Sequence, residues 1–175
     1  SGQYGGPQPL LDGGYYWQAW TSKPSINRIK TGFFHAYSGL LAAIPYQYLC
    51  QPFTDSPTED PFTESTEEER RRCTVYPAQD QVINTVQWEA YREGIDDLRY
   101  ILTLEEKLTT NPCGLDSTAV STTLAELQAK IKAYGHFYHR LDSIEGMEAD
   151  ADMAEQLDTD RNWLIEQILY FSCDG

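Results

Sequence analysis

Seven apolar residues, Val120, Leu124, Leu127, Ile131, Tyr134, Tyr138 and Leu141, follow one another at alternating spacings of four and three. Only a helix with one apolar face puts all of them on the same side, so this stripe fixes a long core-facing helix over about 116–145. Asp116 or Ser117 stands where a cap belongs, and Gly146 breaks the pattern. Another stripe follows at Met153, Leu157, Leu164, Ile168 and Phe171 and predicts a helix over 149–172. The break between the two is short, so they should pack as an antiparallel hairpin. A helix over 85–109 precedes them, with Trp88, Tyr91, Ile95, Leu98 and Leu102 spaced to share one face.

The first half reads differently. Residues 1–12 are rich in Gly, Pro and Gln and show no periodicity, and Ser1-Gly2 has the look of a cloning remnant. The aromatic run GGYYWQAW predicts a strand over about 14–20, and LLAAI predicts a second over about 39–46, ended by Pro45. Between them, Pro24 suits a first helical turn, Ile26, Ile29, Phe33 and Tyr37 recur at helical spacing, and Ser38-Gly39 closes the helix. The order strand, helix, strand is a βαβ unit. Residues 49–85 form a long polar stretch with Pro52, Pro57 and Pro61, an acidic run and Arg70, Arg71 and Arg72, read as a solvated loop with one short helix in it. The expected organisation is therefore a βαβ segment with a long acidic loop over 1–84 and a helical region over 85–175.

Composition limits the partners. The chain has 175 residues, with 13 Lys and Arg against 27 Asp and Glu, a net charge of −14. Such a surface repels phosphate backbones and anionic lipid, which argues against nucleic-acid and membrane-surface roles. No apolar run approaches the roughly 20 residues of a bilayer span. No signal peptide is visible at the start of the sequence.

Four cysteines, Cys50, Cys73, Cys113 and Cys173, form no CxxC pair, so zinc-ribbon and thioredoxin-like readings fall away. Cys113 lies just before the second long helix and Cys173 just after the third. Those ends are neighbours in an antiparallel hairpin, which predicts Cys113–Cys173 and leaves Cys50–Cys73 to close the acidic loop. Two bridges would place the protein outside the cytoplasm.

Candidate chemistry is sparse. His136 and His139 have ligand spacing but no third ligand, so no metal and no cofactor are assigned. The carboxylates of 148–160 lack the glycine and ligand order of a calcium loop and read as a solvated helix start. Glu89, Glu93, Asp96 and Asp97 share one helix, where two carboxyls cannot face each other across a sugar ring. Helix salt bridges with Arg92 and Arg99 are the expectation for them. Aromatics gather near the ends of the two strands: Tyr15, Tyr16, Trp17, Trp20, Tyr46 and Tyr48. In a parallel α/β architecture those ends carry sites, and aromatic faces suit the C–H faces of sugars. Tyr16, Trp17, Trp20, Tyr46 and Tyr48 are thus the candidate substrate-lining residues, with burial in the core as the other reading of the same aromatics.

YYWQAW, NRIKTGFFHAYSGLLAAIPYQYL, VYP and VQWEAYREGIDDLRYILTLEEKL together resemble the end of glycoside-hydrolase-like (β/α) barrels, in particular glycoside hydrolase family 123 relatives and their associated C-terminal domain of unknown function. The resemblance covers about residues 13–108. It rests on Trp17, Arg28, Tyr76-Pro77 and above all Arg92-Glu93-Gly94-Ile95-Asp96-Asp97. It implies an α/β fold: a partial barrel end of two strands, followed by a mainly helical region. It also implies that the adjacent Asp-Glu catalytic pair belongs to an earlier strand. Glu59-Asp60 sits in the Pro-rich loop and does not fill that place. The expectation is a secreted carbohydrate-processing protein's C-terminal portion, inactive alone, with carbohydrate and the rest of a barrel, or a second copy, as partners. The other reading left open is a non-enzymatic, mainly helical structural or interaction module.

Overall fold

The computed structural model describes residues 15–18, 24–39, 42–45, 75–77, 81–138 and 150–173. In chain order these form β1 (Tyr15–Gln18), α1 (Pro24–Thr31), α2 (Phe33–Ser38), β2 (Ala42–Pro45), β3 (Val75–Pro77), β4 (Val82–Asn84), α3 (Val86–Thr110), α4 (Ser117–Tyr138) and α5 (Asp150–Tyr170). The fold is mainly helical, which overturns the expected partial barrel. β1 and β2 run parallel, with Tyr15 opposite Ala42 and Gln18 opposite Pro45, but each is only four residues long. The apolar core is helical instead. It joins Ile29, Phe33 and Phe34 of α1 and α2 to Ile101, Leu104 and Leu108 of α3, Leu127, Ile131 and Tyr134 of α4, and Met153, Leu157 and Leu164 of α5. One core thus spans the boundary drawn at residue 84.

Local chemistry sets the helix ends. Thr85 caps α3, its hydroxyl accepting from the Trp88 N–H at 3.2 Å, and Asn111 closes it in the left-handed region. Gly39 closes α2 the same way. The single helix expected over 24–39 is broken at Gly32, where α1 meets α3 at close range. A Cβ on Gly32 would lie 2.9 Å from the Gly94 carbonyl oxygen, and one on Gly94 would lie 2.6 Å from the Arg28 carbonyl oxygen. The two backbones can touch because both residues lack a side chain there.

Two further expectations change. The long polar stretch contains an antiparallel hairpin, β3 with β4, in which Tyr76 is registered opposite Ile83. Its strands of three residues are too short to give a periodic signal. The inward face of α3 is not the Trp88–Leu102 face. Leu102 is 54% exposed, whereas Ala90, Gly94, Asp97, Ile101, Leu104 and Leu108 are buried. A glycine and an aspartate on the buried side masked the apolar period. On α4, Leu127, Ile131 and Tyr134 face the core as the stripe requires, Val120 packs beside it, and Leu124 lies at the edge. The side chain of Tyr138 and the whole of Leu141 lie outside the described residues.

Candidate functional site

The most chemically organised place among the described residues is a cluster of charge between α1, α3 and α5. α1 supplies Arg28, α3 supplies Glu93 and Asp97, and α5 supplies Asp158 and Arg161. Asp97 is fully buried. Its Oδ2 accepts from Arg28 Nε at 2.7 Å, and its Oδ1 accepts from Arg28 Nη2 at 3.2 Å and from Arg161 Nε at 2.6 Å. Arg28 also reaches α5: Nη1 donates to Asp158 Oδ1 at 2.6 Å and Nη2 to the Leu157 carbonyl at 3.4 Å. Arg161 bonds the Glu93 carboxylate as well, and its Nη2 donates to the Glu93 carbonyl at 2.7 Å. Two guanidiniums from two other helices therefore hold one carboxylate, Arg28 through two of its nitrogens in the planar two-point recognition that arginine provides and lysine does not, and Arg161 through one.

Electrostatics in the cluster pull in opposite directions. Burial pushes the Asp97 carboxyl up from the usual carboxylate range, against the pull of Arg28 and Arg161. Glu93 sits below that range because Arg161 bonds it, with Arg161, Arg92 and Arg28 adding attraction. A carboxylate this enclosed is committed to packing: it has no exposed oxygen to offer a substrate, and removing its partners would strand a buried charge.

A second enclosed acid lies between α4 and α5. Asp160 accepts from Lys130 Nζ at 2.6 Å, Tyr134 Oη at 2.7 Å and Gln156 Nε2 at 3.1 Å. Lys130 also sits 5.0 Å from the ring centre of Trp163, within cation–π range. Burial and the bond to Asp160 push the Tyr134 phenol upward, so it stays protonated and donates. Tyr134 in turn packs on Phe33 with ring centres 4.5 Å apart.

The residues singled out by sequence fare unevenly. Arg92 pairs with Glu89 at 2.9 Å, Glu93 at 2.9 Å and Asp96 at 3.7 Å, and Arg99 pairs with Asp96 at 3.2 Å, as the helix spacing implied. Asp97 and Glu93, however, reach across to other helices, which spacing along one helix does not reveal. The carboxylates of 148–160 are not merely a solvated start, since Asp158 and Asp160 hold Arg28 and Lys130. The signal that could have found the cluster was the odd residue out: Asp97 occupies a core position of α3, and Arg161 lies one turn before the buried Leu164. Tyr16 and Trp17 lie in β1, their side chains outside the described residues, as are Trp20, Tyr46 and Tyr48 altogether. Cys50, Cys73, Glu59, Asp60 and His139 also lie outside them, as does the side chain of His136. Among the described residues no group of three or more His, Cys, Asp or Glu gathers as a metal site would.

Cys113 and Cys173 are joined, their Cα atoms 5.4 Å apart, as expected for the start of α4 and the end of an α5 that returns beside it. No helix among the described residues is long and apolar enough to cross a membrane. Comparison with protein-family models, curated proteins and solved structures finds no match for this chain. The site is therefore defined by its own geometry: a two-arginine clasp on a buried aspartate that locks three helices together.

Proposed function

We propose that this chain is a non-catalytic helical module of an exported carbohydrate-processing protein, a part that holds architecture rather than performing the bond cleavage. The observation that carries the reading is the clasp itself. Asp97 lies in the segment that resembles sugar-processing enzymes, yet it is fully buried and bonded to two arginines. Glycosidic cleavage instead needs two carboxyls set across an open cleft. The Arg92–Asp97 segment then has a packing rationale. Glu93 and Asp97 engage Arg161, Asp97 engages Arg28, and Gly94 admits the backbone of α1.

The carbohydrate half of the proposal rests on that resemblance and on the aromatic residues Tyr16, Trp17, Trp20, Tyr46 and Tyr48. The exported half rests on the Cys113–Cys173 bridge, a bond that oxidising compartments favour. Two measurements test the proposal. Purified protein should not release nitrophenol from aryl glycosides, N-acetylhexosaminides included. It should show tryptophan fluorescence changes with soluble polysaccharide that disappear in Trp17→Ala. Turnover lost on mutating one carboxylate would replace the reading with an enzymatic one. No response to any of xylan, glucan or chitin oligomers would leave a purely structural helical module.

A further inference from the structure

The surroundings of the Cys113–Cys173 bridge are not those of a buried staple. Cys173 is exposed and Cys113 half-buried. Both sides of the bond are held by contacts that do not use sulfur. On the Cys113 side, the α3–α4 loop is pinned by Asn111, whose side chain donates to the Leu115 carbonyl at 2.9 Å and accepts from the Leu115 N–H at 3.0 Å. The Gly114 N–H adds a bond to the Asn111 carbonyl at 3.0 Å. On the Cys173 side, Phe171 is fully buried in the core, and the Phe171 and Ser172 N–H groups bond the Gln167 and Leu169 carbonyls at 2.9 and 3.1 Å. The Ser172 hydroxyl donates to the Ile168 carbonyl at 2.6 Å. Each cysteine thus adjoins a segment whose local backbone bonds do not depend on the sulfur bond.

The backbone at Cys173 adds to this. Its φ is 63°, in the left-handed region that a residue with a Cβ disfavours.

We infer that Cys113–Cys173 is a reversible thiol–disulfide exchange site for small thiols, operating in the folded protein. A thiolate attacks the Cys173 sulfur and forms a new S–S bond to it. The Cys113–Cys173 bond breaks, and its electron pair leaves on Cys113, which takes a proton from water. A second thiol then attacks the mixed disulfide, releases the oxidised reagent as its own disulfide, and leaves Cys173 as a thiol. Two electrons and two protons pass from the thiol reagent to the protein. Access selects which sulfur is attacked, and Cys173 is the more exposed.

The test uses the full chain at neutral pH. Protein is treated with dithiothreitol over a tenfold concentration range, quenched with iodoacetamide and mapped by peptide mass at Cys113 and Cys173, while helicity is followed by circular dichroism. Exchange in the folded state makes labelling of both cysteines rise tenfold in rate over that range, with the helical signal unchanged. A rate that levels off at the unfolding rate, or loss of helicity in step with labelling, overturns the inference. Reduced glutathione gives a second arm. The mixed disulfide should be trapped on Cys173, and an adduct found on Cys113 instead overturns the assigned direction of attack. Cys173→Ser should abolish the disulfide-derived adduct, and Asn111→Ala should slow reoxidation by loosening the Cys113 side. Reoxidation at the normal rate in Asn111→Ala would overturn the role given to that residue.

Discussion

Asp97 and Asp160 are both buried acids with three donors each, and they teach different things. Asp97 is met by two permanently charged guanidiniums from two helices, whereas Asp160 is met by one ammonium, one phenol and one amide. Removing the Asp97 charge takes the shared partner from two largely buried arginines, leaving Arg28 with Asp158 and Arg161 with Glu93. Removing the Asp160 charge strands only Lys130, which is about a quarter exposed and can turn toward water. Equal numbers of hydrogen bonds therefore carry unequal consequences, because the cost lies in what is left unpaired.

The largest effect that would break this comparison is expected at the first acid. Asp97→Ala should lower stability by about 3–5 kcal/mol, the range for breaking a buried pair. Urea denaturation measures it, and a loss under about 1 kcal/mol would show that the clasp is not needed for the fold. Next comes the joint beside it. Gly94→Ala sets a methyl 2.6 Å from the Arg28 carbonyl and 2.7 Å from the Thr31 side chain, so α1 must shift. The expected loss is about 1–3 kcal/mol, as for an overpacked core. Asp160→Asn should lose about 1–2 kcal/mol, since the amide still accepts from Tyr134 but no longer balances Lys130. If it costs as much as the Asp97 change, the distinction between the two sites collapses.

Acid sensitivity sharpens the contrast further. Glu93 has its folded pKa depressed by Arg161, so the stability it adds is present above the ordinary glutamate range. That contribution is lost as pH falls through the lower folded value. Asp97 runs the other way: with its folded pKa raised by burial, it favours the folded state more as pH falls through that value toward the ordinary one. Glu93→Gln should therefore flatten the acid side of the stability-versus-pH curve, read from melting temperature between about pH 3 and 6. An unchanged acid limb would remove Glu93 from the balance. The smallest effect is expected at Leu102→Ser, within about 0.5 kcal/mol, because that side chain is exposed although its spacing resembles a core position.

The sequence was most legible where one physical signal acted alone. The α4 and α5 stripes mark real core faces, and the expectation that α5 returns antiparallel to α4 led directly to Cys113–Cys173. α3 was legible as a helix but not as to its facing, because its inner side carries Gly94 and Asp97, which serve close approach and charge pairing rather than apolar burial. The barrel expectation failed for a related reason. Ile29, Phe33 and Phe34 on the helices after β1 take the core places that a barrel would give to strands. Nothing local in IKTGFF announces that it will dock on a helix some sixty residues further along. The clasp was invisible from spacing, since Arg28, Asp97 and Arg161 lie on three separate elements.

The length of α3 governs how far the two ends of the molecule can influence each other. From Asp97 to the end of this helix is a rod of about 20 Å at the usual rise per residue. In physiological salt, electrical influence through solvent fades over about 8 Å. A charge placed beyond the far end is therefore more than two screening lengths from Asp97. Charge at the loop end of α3 and charge at the clasp thus act on each other only weakly through solvent, and a substitution at either end can be read without retuning its counterpart.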